Sequence, residues 1–316
     1  MRSRLLAAAL LCAVAACARV TPPTTPAPAG RVTSHVVIVS IDGLRPDAIA
    51  RSPAPTLQRL LREGSATLAA TTVLPSKTLP SHVSMLTGVP PAVHGVSWNT
   101  DSVRERGVVR VPTVFGVAHA AGFRTAAVMS KAKLRHLVVP GTLDYWQAPS
   151  LTWLPYDAER TVNDAAAVMR RLQPNVLFVH IAEPDLAGHA LGWMDWSYRM
   201  NVRLADLALH DLLRAADDAY GAGQWTLLLT ADHGGHGKGH GSADPRDLQI
   251  PWIAWGEGVR AGHAIQAAVS VMDTAPTALW LLGVPVPPGW VGHPVVTAFD
   301  AGAAVVSSWA SPRSRR

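Results

Sequence analysis

Apolar and polar positions fall in alternating blocks along this chain. His35–Ile41 (HVVIVSI) is apolar and β-branched, the pattern of a strand buried on both faces of a parallel sheet. Asn175–Ile181 (NVLFVHI), Gln224–Thr230 (QWTLLLT) and Ile250–Trp255 repeat that pattern, and Arg124–Met129 reads as another strand. Between them lie helical patterns with start and stop signals. Residues 54–64 end at Gly64, residues 78–87 follow Pro75 and end at Gly88, and residues 112–121 run from Pro112 to Gly122. Asp157–Leu172 and Asp195–Tyr220 are amphipathic, and Val271–Leu282 is closed by Gly283. Strands alternating with helices predict an α/β three-layer sandwich: a mostly parallel central sheet with helices on both faces. Functional groups in such sheets gather at the carboxyl ends of the strands.

The first residues do not fit that pattern. Arg2 and Arg4 precede a short apolar stretch, Leu5–Ala16, too short to span a bilayer as a helix. It ends in Val14-Ala15-Ala16-Cys17, which resembles a bacterial lipobox. Residues 1–16 are therefore read as a signal peptide, and residues 17–34, rich in Pro, Thr and Ala, as an extended tether lipidated at Cys17. An ordinary signal peptide cut nearby, with Cys17 incidental, is the other reading. The expected location is the cell envelope, as an exported lipoprotein facing the periplasm or the cell surface. Cys12 leaves with the signal, so no disulfide is expected. The catalytic domain is placed at residues 35–300, followed by a basic tail at 301–316.

Composition adds two constraints. With 48% hydrophobic residues in 316, the chain can bury a sizeable core. Its net charge of +6 is scattered rather than concentrated in a run interleaved with aromatics. A nucleic-acid platform is thus unsupported, and a small anionic substrate is compatible.

The candidate chemistry lies at the predicted strand ends. Asp42 follows the first buried strand, Glu183 and Asp185 follow the second, and Asp232 follows the third. Asp185 belongs to Asp-Leu-Ala-Gly-His189, and Asp232 opens Asp-His233-Gly-Gly-His236, with His240 close behind. Singly, each piece has a plain reading: a turn, helix neighbours, a Gly/His loop. Together at one sheet edge, carboxylates and imidazoles suit zinc or a similar divalent ion. Three Asp and at least three His are enough for two ions, the arrangement that clamps the attacking and leaving oxygens of a phosphoryl displacement. Thr78, in Pro75-Ser-Lys-Thr-Leu-Pro80-Ser-His82, sits where a loop enters a helix, either as an N-cap or as a hydroxyl aimed at a phosphate.

Several stretches in order resemble the nucleotide pyrophosphatase/phosphodiesterase family of the alkaline phosphatase superfamily. They are VVIVSIDGLRPDAI (36–49), LPSKTLPSHVSMLTGVPPAVHGVSWN (74–99), EPDLAGHALG (183–192), TADHGGHG (230–237) and GHGSADPRDLQIPWIAWGEGV (239–259), and the similarity runs over residues 35–285. The resemblance implies an alkaline phosphatase-like fold and a two-zinc hydrolase of phosphate esters, with a phosphodiesterase or nucleotide pyrophosphatase activity. It implies one zinc on Asp42, Thr78, Asp232 and His233 and another on Asp185, His189 and His240. It makes Thr78 the nucleophile of a phospho-threonine intermediate, which water then hydrolyses, and Asn99 a ligand of a phosphoryl oxygen.

This chain departs from the family pattern in two places. His233 and His240 are nearly adjacent where better-known members carry a long insertion, which leaves the last ligand open between His240, the favoured one, and His236. Ser81 stands where an Asn is common. His82 and His94 are read as structural, and Lys77 and Lys238 as exposed. Trp146, Trp153, Trp193 and Trp196 are read as packing residues or as walls over the site. A phosphomonoesterase or phosphonate hydrolase of the same fold is the alternative activity, and a non-catalytic metal- or phosphate-binding lipoprotein the outside one. A sulfatase is disfavoured because residues 76–82 lack a Cys/Ser-x-Pro-x-Arg motif.

Overall fold

The computed structural model describes residues 30–150 and 155–300. The signal peptide, Cys17, most of the tether, Trp153 and the basic tail lie outside the described residues.

Eight strands form one sheet: β1 (Val36–Ile41), β2 (Ser65–Thr71), β3 (Thr125–Met129), β4 (Tyr145–Gln147), β5 (Val176–Ile181), β6 (Thr226–Thr230), β7 (Gln249–Gly256) and β8 (His263–Ala264). Their order is β4-β3-β5-β1-β6-β7-β2-β8. The five strands from β4 to β6 are parallel, while β7 runs antiparallel to both β6 and β2. The principal helices are α1 (Pro46–Arg51), α2 (Pro55–Glu63), α3 (Thr78–Thr87), α4 (Val114–Ala120), α5 (Ala158–Leu172), α6 (Asp185–Leu191), α7 (Trp196–Tyr220) and α8 (Thr274–Leu281). One layer packs α5 on α7, with α1 and α2 against α7; the other packs α8 on α3, α4 and β1. No helix among the described residues is long and apolar enough to cross a membrane.

The predicted strands and helices form, with boundaries shifted by a residue or two. The apolar runs of β1, β5 and β6 are wholly buried, as expected for central strands covered on both faces. Strands β2, β4 and β8 and helix α1 do not stand out in the apolar pattern of the chain. At the amino end, Val32 and Thr33 are buried, and their N–H groups donate to Leu281 O. Thus the last residues of the stretch read as tether dock on the domain.

Register places the site. Ile41 pairs with Ile181 and Ser40 with Thr230, so β1, β5 and β6 end at the same edge. Asp42, Asp185 and Asp232 leave the sheet there. Gly43 makes the tight exit from β1: its φ is 72°, and a Cβ there would lie 3.0 Å from that of Asp185.

Helix α3 carries Thr78 and is buried along its whole length despite its polar residues. A buried polar group without a partner costs about 1–3 kcal/mol, so each needs a bond. Ser81 pairs with Thr72 at 3.0 Å, Ser84 with His94 Nε2 at 3.0 Å, and Thr87 donates to Val83 O at 2.6 Å. His82 bridges Thr78 O (2.7 Å) and Ser40 Oγ (2.8 Å), pinning the start of α3 to β1. His94 therefore holds the helix away from the site, while His82 holds it and also places its Nδ1 3.5 Å from Asp232 Oδ2.

Candidate metal centre and nucleophile

Two overlapping groups of side chains form at the sheet edge. The inner group brings together Asp42, Asp185 and His233, and the outer one Asp185, His189 and His240; the ligand atoms within each lie within 4.8 Å of one another. Asp232 joins the inner group, its Oδ2 3.2 Å from His233 Nε2. Thr78 Oγ1 lies 3.5 Å from the same nitrogen. The structure thus gathers Asp42, Thr78, Asp185, His189, Asp232, His233 and His240. His236 is turned away: its Nδ1 is 2.7 Å from Asp247 Oδ1. Glu183 also stays out of the cluster and accepts the Ala158 N–H at the start of α5.

The hydrogen bonds set the imidazole tautomers. Nδ1 of His233 faces Gly234 O at 2.8 Å, that of His240 faces Ser76 O at 2.8 Å, and that of His189 faces Lys238 O at 3.1 Å. A carbonyl only accepts, so each Nδ1 carries the proton and each Nε2 presents a lone pair to the cluster. His189 Nε2 and His240 Nε2 are 3.1 Å apart, lone pair against lone pair. Three buried carboxylate oxygens, Asp42 Oδ1, Asp185 Oδ1 and Asp232 Oδ2, accept no hydrogen bond from a described group. Buried charge without a partner is strongly unfavourable. Divalent cations answer both mismatches, so the residues fit a pair of ions.

The remaining carboxylate oxygens are braced. Asp232 Oδ1 accepts the Gly43 and His233 N–H groups, each at 3.0 Å. His180 accepts the Ser130 N–H on Nδ1, so its Nε2–H donates to Asp42 Oδ2 at 2.9 Å. Lys131 Nζ bridges Asp42 Oδ2 (2.7 Å) and Asp185 Oδ2 (2.5 Å). Burial alone would raise the Asp42 carboxyl, but Lys131 and His180 outweigh it and hold Asp42 well below the ordinary range. Burial, reinforced by the Asp42 charge, pushes Asp232 well above it. Burial and the neighbouring His240 lower His233 to about 4, which keeps its Nε2 free of a proton at neutral pH.

Lys131 and His180 were not among the residues picked from the sequence. Lys131 follows β3 as Asp42 follows β1, so the strand-end rule that found the acids would have found it. His180 is the lone imidazole in an otherwise apolar strand.

A cavity of about 460 Å³ opens over the cluster, lined in part by Thr78, Asn99, Lys131, Lys133 and His189. Asn99 Oδ1 accepts the Leu79 N–H at 2.9 Å, which leaves its amide NH2 as the end available to a ligand. Trp193 is buried and donates to Gly43 O at 3.0 Å. It lies so close over Gly235 that a Cβ there would meet the indole at 2.2 Å. Trp146 and Trp196 are exposed, and Trp146 lines a neighbouring cavity rather than this one. Lys238 is exposed and Lys77 half-buried.

A model of the type I phosphodiesterase / nucleotide pyrophosphatase family matches residues 36–237, and a sulfatase model matches residues 194–284. GPI ethanolamine phosphate transferase 1 of Gibberella zeae is 28% identical over 68% of this chain and 23% of its own length. The human protein of that name is 25% identical over 86% of this chain and 33% of its own. The chain therefore spans a quarter to a third of the length of these relatives. By fold it is similar to murine ectonucleotide pyrophosphatase / phosphodiesterase 5 (TM-score 0.67, 16% identity, 80% of this chain and 96% of that one). It is similar also to a 2-O GAG sulfatase (TM-score 0.69, 14% identity, 84% and 74%). With the family model covering most of the described domain, from β1 through the Asp232 motif, the chain belongs to the type I phosphodiesterase / nucleotide pyrophosphatase family.

Proposed function

We propose that this protein hydrolyses phosphate esters at a two-metal centre, with Thr78 as nucleophile and a phosphodiester or nucleotide pyrophosphate as substrate. The observation that carries the reading is the position of the Thr78 hydroxyl, at the amino end of α3 and 3.5 Å from His233 Nε2 within the inner group. Asp42, Thr78, Asp232 and His233 would hold one ion, and Asp185, His189 and His240 the other. Zinc suits this carboxylate and imidazole set. Bound there, the ions would lower the pKa of coordinated hydroxyls and offset charge on the phosphoryl oxygens.

The chain's own groups supply the rest. Thr78 Oγ1 attacks phosphorus, and the bond to the leaving oxygen breaks. The Thr78 N–H, at the amino end of α3, and the Asn99 NH2 would hold the phosphoryl oxygens. Water then cleaves the phospho-threonine and restores the hydroxyl. The relatives named as ethanolamine phosphate transferases favour a phosphodiester over a sulfate ester, and they raise a hydroxyl acceptor in place of water as the second reading. A phosphomonoesterase or phosphonate hydrolase would use the same groups with a different leaving arm. An N-terminal lipid on Cys17, and with it an envelope location facing the periplasm or cell surface, remains part of this proposal.

A zinc-supplemented panel tests it: bis-p-nitrophenyl phosphate, p-nitrophenyl phosphate and the p-nitrophenyl ester of thymidine monophosphate. Diesters turned over faster than the monoester, with free phosphate monoester as product, is the expected result. Release of p-nitrophenol from none of the three would overturn the reading.

A further inference from the structure

Lys133 lies in the 3-10 segment Ala132–Leu137 that follows β3, and it lines the same cavity as Thr78 and Asn99. Its neighbours in charge are all engaged. Lys131 bridges Asp42 and Asp185, and Arg135 pairs with Asp101, which with Asp185 is one of two acids lining that cavity. Lys133 is half-buried, yet among the described residues no carboxylate lies within ion-pairing distance of it and no side chain accepts from it. Burial is the chief influence on its ammonium and pushes it below the ordinary lysine value, so the protein bears a cost to keep it there. A partly buried cation without a partner is unfavourable, and an anion bound in the cavity would pair it. The cavity is also too large for one phosphoryl group: about 460 Å³ falls in the range that encloses a whole small molecule. With Asp101 paired to Arg135, and Asp185 and Asp42 sharing Lys131, Lys133 is left as the cation on this wall that no carboxylate pairs among the described residues.

We propose that Lys133, flanked by Lys131, forms a second anion subsite, and that the preferred substrate carries a carboxylate or further phosphate on the arm retained beside the scissile phosphate. This rests on the phosphoester reading above and narrows it to a substrate class. Lys133 is assigned as a specificity-determining residue.

The test uses p-nitrophenyl phosphodiesters whose second arm is ethyl, 2-carboxyethyl or 2-phosphoethyl, with the zinc-loaded full chain. In the wild type, kcat/KM for a charged arm should exceed that for the ethyl arm by about tenfold or more, the scale of one charge-assisted hydrogen bond. Which charged arm is preferred identifies the carboxylate or the phosphate. Lys133→Met should bring the ratio of charged to ethyl arm close to one, and Lys133→Arg should keep most of it. A wild-type ratio near one, or a ratio unchanged in Lys133→Met, overturns the proposal. Calorimetric binding of the same diesters to zinc-loaded Thr78→Ala, with and without Lys133→Met, reads the same ratio without turnover. A charged-arm preference in binding to Thr78→Ala that Lys133→Met removes, together with no hydrolysis by the wild type, would therefore sink the hydrolase reading and keep the subsite.

Discussion

The two halves of the candidate metal centre are built differently. In the inner half, Asp42, Asp232 and His233 are fully buried and Thr78 is 1% exposed. Each of the three candidate ligands is braced: Asp42 by His180 and Lys131, Asp232 by two backbone N–H groups, His233 by Gly234 O. In the outer half, the His189 side chain is 47% exposed, and its brace is the carbonyl of Lys238 on an exposed loop. Asp185 sits between the halves and contributes to both. The inner half rests on strand ends whose register the sheet fixes; the outer half rests on a short helix and a surface loop. A preorganised half suits the proposed nucleophile, which would have to be held in line with phosphorus. An open half suits the exchange of leaving group and water.

The largest expected effects come from breaking the inner half. Thr78→Ala removes the proposed nucleophile without removing a carboxylate or imidazole, so metal content by elemental analysis should stay near the wild-type value. Its kcat should fall by roughly 10³-fold or more, on the scale seen when a covalent nucleophile is lost. Near-normal turnover in that variant would remove Thr78 from the mechanism. Asp232→Asn keeps the shape but loses a ligand charge. It should lose about one ion per chain together with activity on a similar scale. Full metal content in Asp232→Asn would mean that the inner ion is held without Asp232.

The inner half was also the more legible from the chain. Asp42 and Asp232 follow apolar runs that could only be central strands, and the strand-end rule then places them together. The same rule misled slightly at Glu183, which shares a strand end with Asp185 but caps α5 instead. Lys131 also lies just past a strand end, but as a lysine it is not a metal ligand and so does not mark itself among the acids and histidines there. The outer half depended on a Gly/His loop whose local pattern permits several pairings. The choice between His236 and His240 is made by distant partners: Gly234 and Gly235 N–H groups donate to Asp247 and Arg246 carbonyls, while Ser76 O takes His240. Strand β2 (SATLAAT) was illegible for a related reason. Its small residues carry no apolar run, and its place comes from antiparallel pairing with β7.

The difference between the halves predicts an order of metal loss. A chelator titrated into the loaded wild type should take the outer ion first and the inner ion at higher concentration. His189→Ala should sharpen that split by weakening the outer ion about 10- to 100-fold or more while the inner ion stays, on the scale of altered metal-site shells. Two ions lost together in both proteins would show that the shared Asp185 couples the halves into one site.

The smallest effect on chemistry is expected at His236. It lies within four residues of His240 in the chain but pairs with the buried Asp247, whose carboxylate also accepts the Ser242 N–H and hydroxyl. His236→Ala leaves that carboxylate two of its three partners. The variant should lose about 1 kcal/mol of stability, the worth of one hydrogen bond with the imidazole partly exposed. Its metal content and kcat should stay within about twofold of wild type, since its imidazole enters neither ligand group. His240→Ala provides the contrast in the same loop: it should lose the outer ion, because its Nε2 stands 3.6 Å from Asp185 Oδ1 and 3.1 Å from His189 Nε2. If His236→Ala were the variant that lost the ion, the loop would have to reverse its pairings. Asp247 would then give up the imidazole that locks the turn, and Ser76 would give up the one that ties this loop to the nucleophile.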